Sequence, residues 1–156
     1  MSEATALNTK YIVFELEDEE YAIPVDLVGS IERVLPITRV PGTPRFVKGV
    51  VNLRGVVTPV IDLKDQIKNQ QIIFNEQTRI IITNMRGMTV GFIVDSANDV
   101  IDIVKDAIES PPETIGTEVS HVIDGVVKMN NRLFMLLNLD EILLQEDIEA
   151  VKVVEG

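Results

Sequence analysis

Val47-Lys48-Gly49-Val50-Val51-Asn52-Leu53-Arg54-Gly55-Val56-Val57-Thr58-Pro59-Val60-Ile61-Asp62 is the stretch that decides the fold. Two runs rich in β-branched residues flank Arg54-Gly55. Such residues keep few χ1 rotamers and pack well on a pleated sheet, so each run reads as a strand. Gly55 can supply the positive φ that a tight reversal often needs. The stretch is a β-hairpin, with strands from Val47 to Leu53 and from Val56 to Asp62.

Working outward, the same pattern recurs three times. Tyr11 to Leu16 and Tyr21 to Val25 flank the solvated run Glu17-Asp18-Glu19-Glu20. Arg79 to Met85 and Met88 to Asp95 turn at Arg86-Gly87. Val122 to Met129 and Arg132 to Asn138 turn at Asn130-Asn131, where asparagine tolerates left-handed backbone. Helix signals are few. Leu63 to Lys68 follows Asp62 as a plausible N-cap, and Asp26 to Gly29 suits a single turn. A longer C-terminal segment, Leu139 to Val151, carries Leu139, Ile142, Leu143 and Ile148 near helical spacing. Strands do not alternate with long helices, so a doubly wound parallel sheet is improbable and the chain reads as mainly β.

The pattern is also written twice. At an offset of 69, Tyr21-Ala22-Ile23-Pro24-Val25-Asp26 lies against Val90-Gly91-Phe92-Ile93-Val94-Asp95, Ile31 against Val100, and Val34 against Ile103. At an offset of 76, Val50-Val51-Asn52-Leu53 lies against Val126-Val127-Lys128-Met129, and Asp62-Leu63 against Asn138-Leu139. The change from 69 to 76 puts seven extra residues in the second half, between Lys105 and Val122, around Pro111-Pro112. The expectation is one domain over 1–156 made of two similar five-stranded β-barrel subdomains, 11–68 and 78–145, joined by Asn69 to Gln77. Tight turns suit closed antiparallel barrels, which leave no exposed edge. Two such small barrels would pack together to complete a core, and the groove between them is a natural binding site.

Bulk properties bound the function. The 156 residues suffice for one domain or two small subdomains. A 46% hydrophobic content and a mean hydropathy of +0.20 exclude a disordered tail. With only 4% aromatics, the core must be Val, Ile, Leu and Met. The net charge of -11, from 14 basic and 25 acidic residues, disfavours nucleic acid and anionic membrane surfaces. The absence of cysteine excludes disulfides, thiolate catalysis and cysteine zinc sites. The leader MSEATALNTK is polar, unlike a signal peptide, and no run approaches the roughly 18 apolar residues of a membrane span. Cytoplasmic location is the expectation, with no membrane insertion.

Reactive constellations are missing. There is no Gly-rich phosphate loop and no nucleophile elbow. His121 is the sole histidine and reads as a solvated loop residue, with metal binding or phosphorylation as its functional alternatives. Glu17 to Glu20 lacks the spacing and glycine of a cation loop and reads as a hairpin tip. Asp99 and Asp102, next to Val100 and Ile103, read as an exposed strand face rather than a catalytic pair. Met85, Met88, Met129 and Met135 read as core filler rather than a recognition surface. Catalysis, a cofactor and a metal are therefore not expected. Arg54 stands apart: a turn arginine between apolar strands either covers apolar surface with its stem or serves as a binding hot spot.

The segment Thr43 to Leu63 resembles the signature of the CheW family of chemotaxis coupling proteins, with Asn52-Leu53-Arg54-Gly55 followed by Pro59 and then Asp62-Leu63. Glu19 to Val25 resembles the family's first hairpin, and Gly91 to Asp95 with Asp99-Val100 resembles its second-half counterpart, so the resemblance spans about 10–146. It implies two five-stranded barrels and an adaptor without activity of its own. Such adaptors link the cytoplasmic tips of chemoreceptors to the regulatory domain of the histidine kinase CheA in membrane-associated arrays. The receptor-facing positions implied are Val28, Gly49, Arg54, Gly91 and Val100. The family often pairs the turn arginine with an acid near the third strand, where this chain has Ser30, with Glu32 two residues on. The loop from Ile108 to Glu113, with Ile108, Pro111, Pro112 and Glu113, resembles one that contacts the kinase. Two other settings for such a domain are a larger protein such as CheV, with a receiver domain, and the regulatory domain of a CheA kinase. From the ending Val153-Val154-Glu155-Gly156 and the polar leader after Met1, a stand-alone adaptor is the expectation, with a piece of a larger protein as the alternative.

Overall fold

Arg54 and Gly55 adopt φ of 50° and 85°, and the hairpin turns as its sequence dictates. In the computed structural model, which describes residues 8–111 and 122–143, its strands are β4 (Val47–Leu53) and β5 (Val56–Asp62). The others are β1 (Asn8–Leu16), β2 (Glu19–Pro24), β3 (Val28–Arg33), β6 (Arg79–Met85), β7 (Met88–Val94), β8 (Ser96–Val104), β9 (Ile123–Met129) and β10 (Arg132–Leu137). Positive φ recurs at Arg86-Gly87 and Asn130-Asn131. The first hairpin tip is narrower than its acidic run, because Glu19 and Glu20 already belong to β2. The short turn expected over Asp26–Gly29 falls at Val25–Leu27 as a 3-10 turn. Helix α1 (Leu63–Lys68) is capped by the Asp62 side chain, which accepts the Asp65 amide. Helix α2 (Leu139–Ile142) is capped the same way by Asn138. The helix expected from Leu139 to Val151 is broken after Ile142, where Leu143 is extended at φ -93° and ψ 93°, and residues 144–151 lie outside the described residues. So do Pro112, Glu113 and His121.

The protein is mainly β, with two five-stranded sheets ordered β8-β1-β2-β10-β9 and β3-β6-β7-β5-β4. The repeat holds strand by strand: β1 to β5 match β6 to β10 in order, with Tyr21 against Val90, Ile31 against Val100 and Val50 against Val126. The sheets, however, interleave the halves. The first sheet joins β1 and β2 to β8, β9 and β10, and the second joins β6 and β7 to β3, β4 and β5. A cut at 69–77 therefore does not separate one sheet from the other. The cause is local. The β2–β3 junction at Val25–Leu27 and the β7–β8 junction at Asp95 have no residue of positive φ to reverse the chain. Strands β3 and β8 run on into the neighbouring sheet instead of folding back.

The exchange corrects the wholly antiparallel closed barrel. Each sheet contains one parallel pair, β2 with β10 and β5 with β7. Closure is approximate and rests on single bridges between opposite edges. Thr38, beyond β3, pairs with Val50 of β4, and Glu109, beyond β8, pairs with Val126 of β9.

Three clusters form the core. The largest joins the sheets: Ile12, Phe14, Leu16, Tyr21 and Ile23 from one, and Ile61, Ile81, Met85, Met88, Val90 and Phe92 from the other. Smaller ones fill each curled sheet, with Val13, Ala22, Ile103, Val127, Phe134 and Leu136 in the first, and Val51, Val60, Ile72, Ile80, Ile82 and Ile93 in the second. Met85 and Met88 are buried in the shared core, in agreement with the filler reading. Among the described residues, no helix is long and apolar enough to cross a membrane.

Candidate protein-binding site

The turn that fixes the second sheet also displays its most exposed functional candidate. Arg54 is held in left-handed backbone, a conformation that costs an ordinary side chain roughly 1–2 kcal/mol. The Asn52 side chain braces the turn by accepting the Gly55 amide at 2.7 Å. The Arg54 side chain remains 69% exposed, and its guanidinium donates to Glu32 Oε2 at 2.8 Å. Glu32 lies on β3, the opposite edge strand of the same sheet, so the pair spans the sheet's open side. The Ser30 hydroxyl, and then the guanidinium, hold the Glu32 carboxyl below the usual carboxylate range. The acid partner is thus supplied by Glu32, with Ser30 supporting it. Apolar surface adjoins the turn: Val56 and Val57 follow it and are 59% and 54% exposed.

The matching hairpin of the other sheet is different. Arg132 of β10 donates to Glu20 at 2.6 and 3.1 Å and to Asp99 at 3.3 Å. It also lies 4.7 Å from the centre of the Phe134 ring. Four contacts hold Arg132 down, whereas Arg54 makes one side-chain hydrogen bond among the described residues. A guanidinium presents five donors in a planar fork. Arg54 therefore has donors left for carboxylate or carbonyl oxygens of another molecule.

The other sequence-derived positions are distributed unevenly. Val28, Gly49, Arg54 and Gly91 belong to the second sheet or its turn, and Val100 to β8 of the first. Val100 is 53% exposed, and Val28 is half-buried against the shared core. Gly49 and Gly91 are buried. They sit in one row, since Gly49 pairs with Val60 and Val60 with Gly91. A Cβ on Gly91 would lie 2.7 Å from Ile80 Cγ2 and 3.0 Å from Val60 Cγ1, inside the small core. On the other side, Ile108 is half-buried against the core of the first sheet, and Pro111 is half-buried. Asp99 and Asp102 lie on exposed β8, where Asp102 accepts from Lys10 Nζ at 2.9 Å. Among the described residues, no group of three His, Cys, Asp or Glu is placed to hold a metal.

Sequence reading missed two features. One is the burial of Asp62: the expected cap of α1 is fully buried yet acidic, its second oxygen accepts the Ile72 amide at 2.8 Å, and burial raises its pKa. The other is Gly125, the counterpart of Gly49 at the offset of 76. Extending the repeat by one residue from Val50 and Val126 would have found it.

Residues 10–147 match the model of the CheW-like domain, and the chain belongs to that family. It is 43% identical over 141 residues to chemotaxis protein CheW of Bacillus subtilis, covering 90% of each chain. It is 35% identical over 137 residues to chemotaxis protein CheW of Helicobacter pylori, covering 88% of this chain and 82% of that one. The solved scaffolding protein TtCheW of Thermoanaerobacter tengcongensis superposes with a TM-score of 0.79 at 31% identity, covering 89% of this chain and 90% of that one.

Proposed function

We propose that this chain is a non-enzymatic cytoplasmic adaptor that couples the tips of chemoreceptors to the regulatory domain of the histidine kinase CheA. In this reading it joins membrane-associated arrays through protein contacts alone. The observation that carries the reading is the Arg54 turn, which leaves a guanidinium 69% exposed beside the exposed Val56 and Val57. A charged fork beside exposed apolar side chains has the composition of an interface hot spot. Arg54 meets the receptor in this account, with Val28 and Val100 nearby in function, while the segment from Ile108 to Pro111 serves the kinase side. The test is reconstitution of kinase activity from receptor and CheA, with and without this chain. Receptor control of the kinase should appear only when the chain is present. Equal control in its absence would contradict the reading.

A further inference from the structure

The two sheets repeat one closing device. Beyond β3, Thr38 exchanges both backbone hydrogen bonds with Val50, each 2.8 Å long. Beyond β8, Glu109 does the same with Val126, at 2.9 and 2.8 Å. The residue before each bridge partner is a glycine, Gly49 in β4 and Gly125 in β9. A Cβ on Gly49 would lie 2.8 Å from the Thr38 carbonyl carbon and closer still to its oxygen. A Cβ on Gly125 would lie 2.9 Å from the Glu109 carbonyl oxygen and 2.6 Å from Ile108 Cγ2. Gly49 also holds a φ of +147°, unfavourable for other residues. Backbone atoms cannot swing aside as a side-chain tip can, so a larger residue must shift the returning segment, further at Gly49 than at Gly125.

We propose that Gly49 and Gly125 are positioning residues, which touch no partner and instead let the two returning segments lie against the sheet edges. The segment held by Gly49 continues from β3, which carries Glu32, the anchor of Arg54. The segment held by Gly125 carries Ile108 and leads to Pro111. One glycine thus acts on the receptor side and the other on the kinase side, an assignment of partners that rests on the function proposed above. Two copies of the device, arising at equivalent places in an internal repeat, argue for it independently of either partner.

The test uses Gly49→Ala and Gly125→Ala in the full chain, read by amide hydrogen exchange and by binding. Gly49→Ala should speed exchange at Thr38 and Val50 on the order of tenfold or more, leave Glu109 and Val126 unchanged, and weaken receptor binding alone. Gly125→Ala should do the reverse and weaken kinase binding alone. Thr38→Pro and Glu109→Pro, which delete one bridge donor while keeping the glycine, should reproduce each binding loss. Binding lost while the bridge amides stay protected would overturn the inference and make the glycines contact residues. Unchanged exchange in both alanine variants would overturn it too, as would global unfolding of both. If Arg54→Ala bound receptor normally, the functional reading would fail instead, and the exchange pattern would still decide the role of the glycines.

Discussion

Arg54 and Glu32 join the two edges of one sheet, the guanidinium on the β4–β5 turn donating at 2.8 Å to a carboxylate on β3. The Thr38–Val50 bridge spans the same edges. The ion pair is therefore a second, weaker tie between edges already joined by backbone. With the arginine mostly exposed, such a pair contributes about 0–1 kcal/mol.

Glu32→Gln should accordingly lower stability by less than about 1 kcal/mol at neutral pH in urea unfolding. The Glu32 carboxyl is held below its ordinary value of 4.5, so its contribution is present above that value and is lost as pH falls through the folded value. The difference between wild type and variant should shrink on acidification. A loss above about 2 kcal/mol would make the pair a structural strut.

Asp62 should show the opposite sign. Burial raises its carboxyl above the ordinary 3.8, so the folded state binds the proton more readily than the unfolded one. Its contribution to stability falls as pH rises from 3.8 through the raised value. Asp62→Asn keeps one acceptor oxygen but turns its amide toward a backbone N–H, at Ile72 or Asp65. That should cost about 1–3 kcal/mol, with a gap from wild type that narrows as pH rises through this window. A gap that widens over the same range would contradict the sign.

Gly91→Ala should overpack the small core of the second sheet. The equivalent residue of the first sheet is Ala22, buried among different neighbours, while around Gly91 the space is taken by Ile80 and Val60. A loss of about 1–3 kcal/mol is expected from thermal or urea unfolding. A neutral result would mean that the core yields easily there, and would return Gly91 to consideration as a contact.

The hairpins were legible because β-branched runs are punctuated by residues that take positive φ. Arg54-Gly55, Arg86-Gly87 and Asn130-Asn131 all do so. Strands β3 and β8 were harder to delimit, since β3 alternates half-buried and exposed residues and much of β8 faces solvent. The exchange of strands between sheets was not legible at all. It follows from pairings such as Asn8 with Val104 and Val28 with Thr83, whose separation along the chain leaves no local signature. The repeat showed which strands are alike but not which strands are neighbours. For the site, sequence located Arg54 and brought Glu32 near it. That Gly49 and Gly91 are buried required the sheet's curvature.

We propose that Arg54 serves a partner rather than the fold. Arg54→Ala and Arg54→Asn test it most directly, through binding to receptor tip and kinase and through unfolding, measured side by side. Asparagine suits left-handed backbone, so Arg54→Asn should be at least as stable as Arg54→Ala, and both should lie within about 1 kcal/mol of wild type. Both should retain kinase binding while receptor binding weakens by about 2 kcal/mol or more, roughly thirtyfold. Unchanged receptor binding in two well-folded variants would contradict the account.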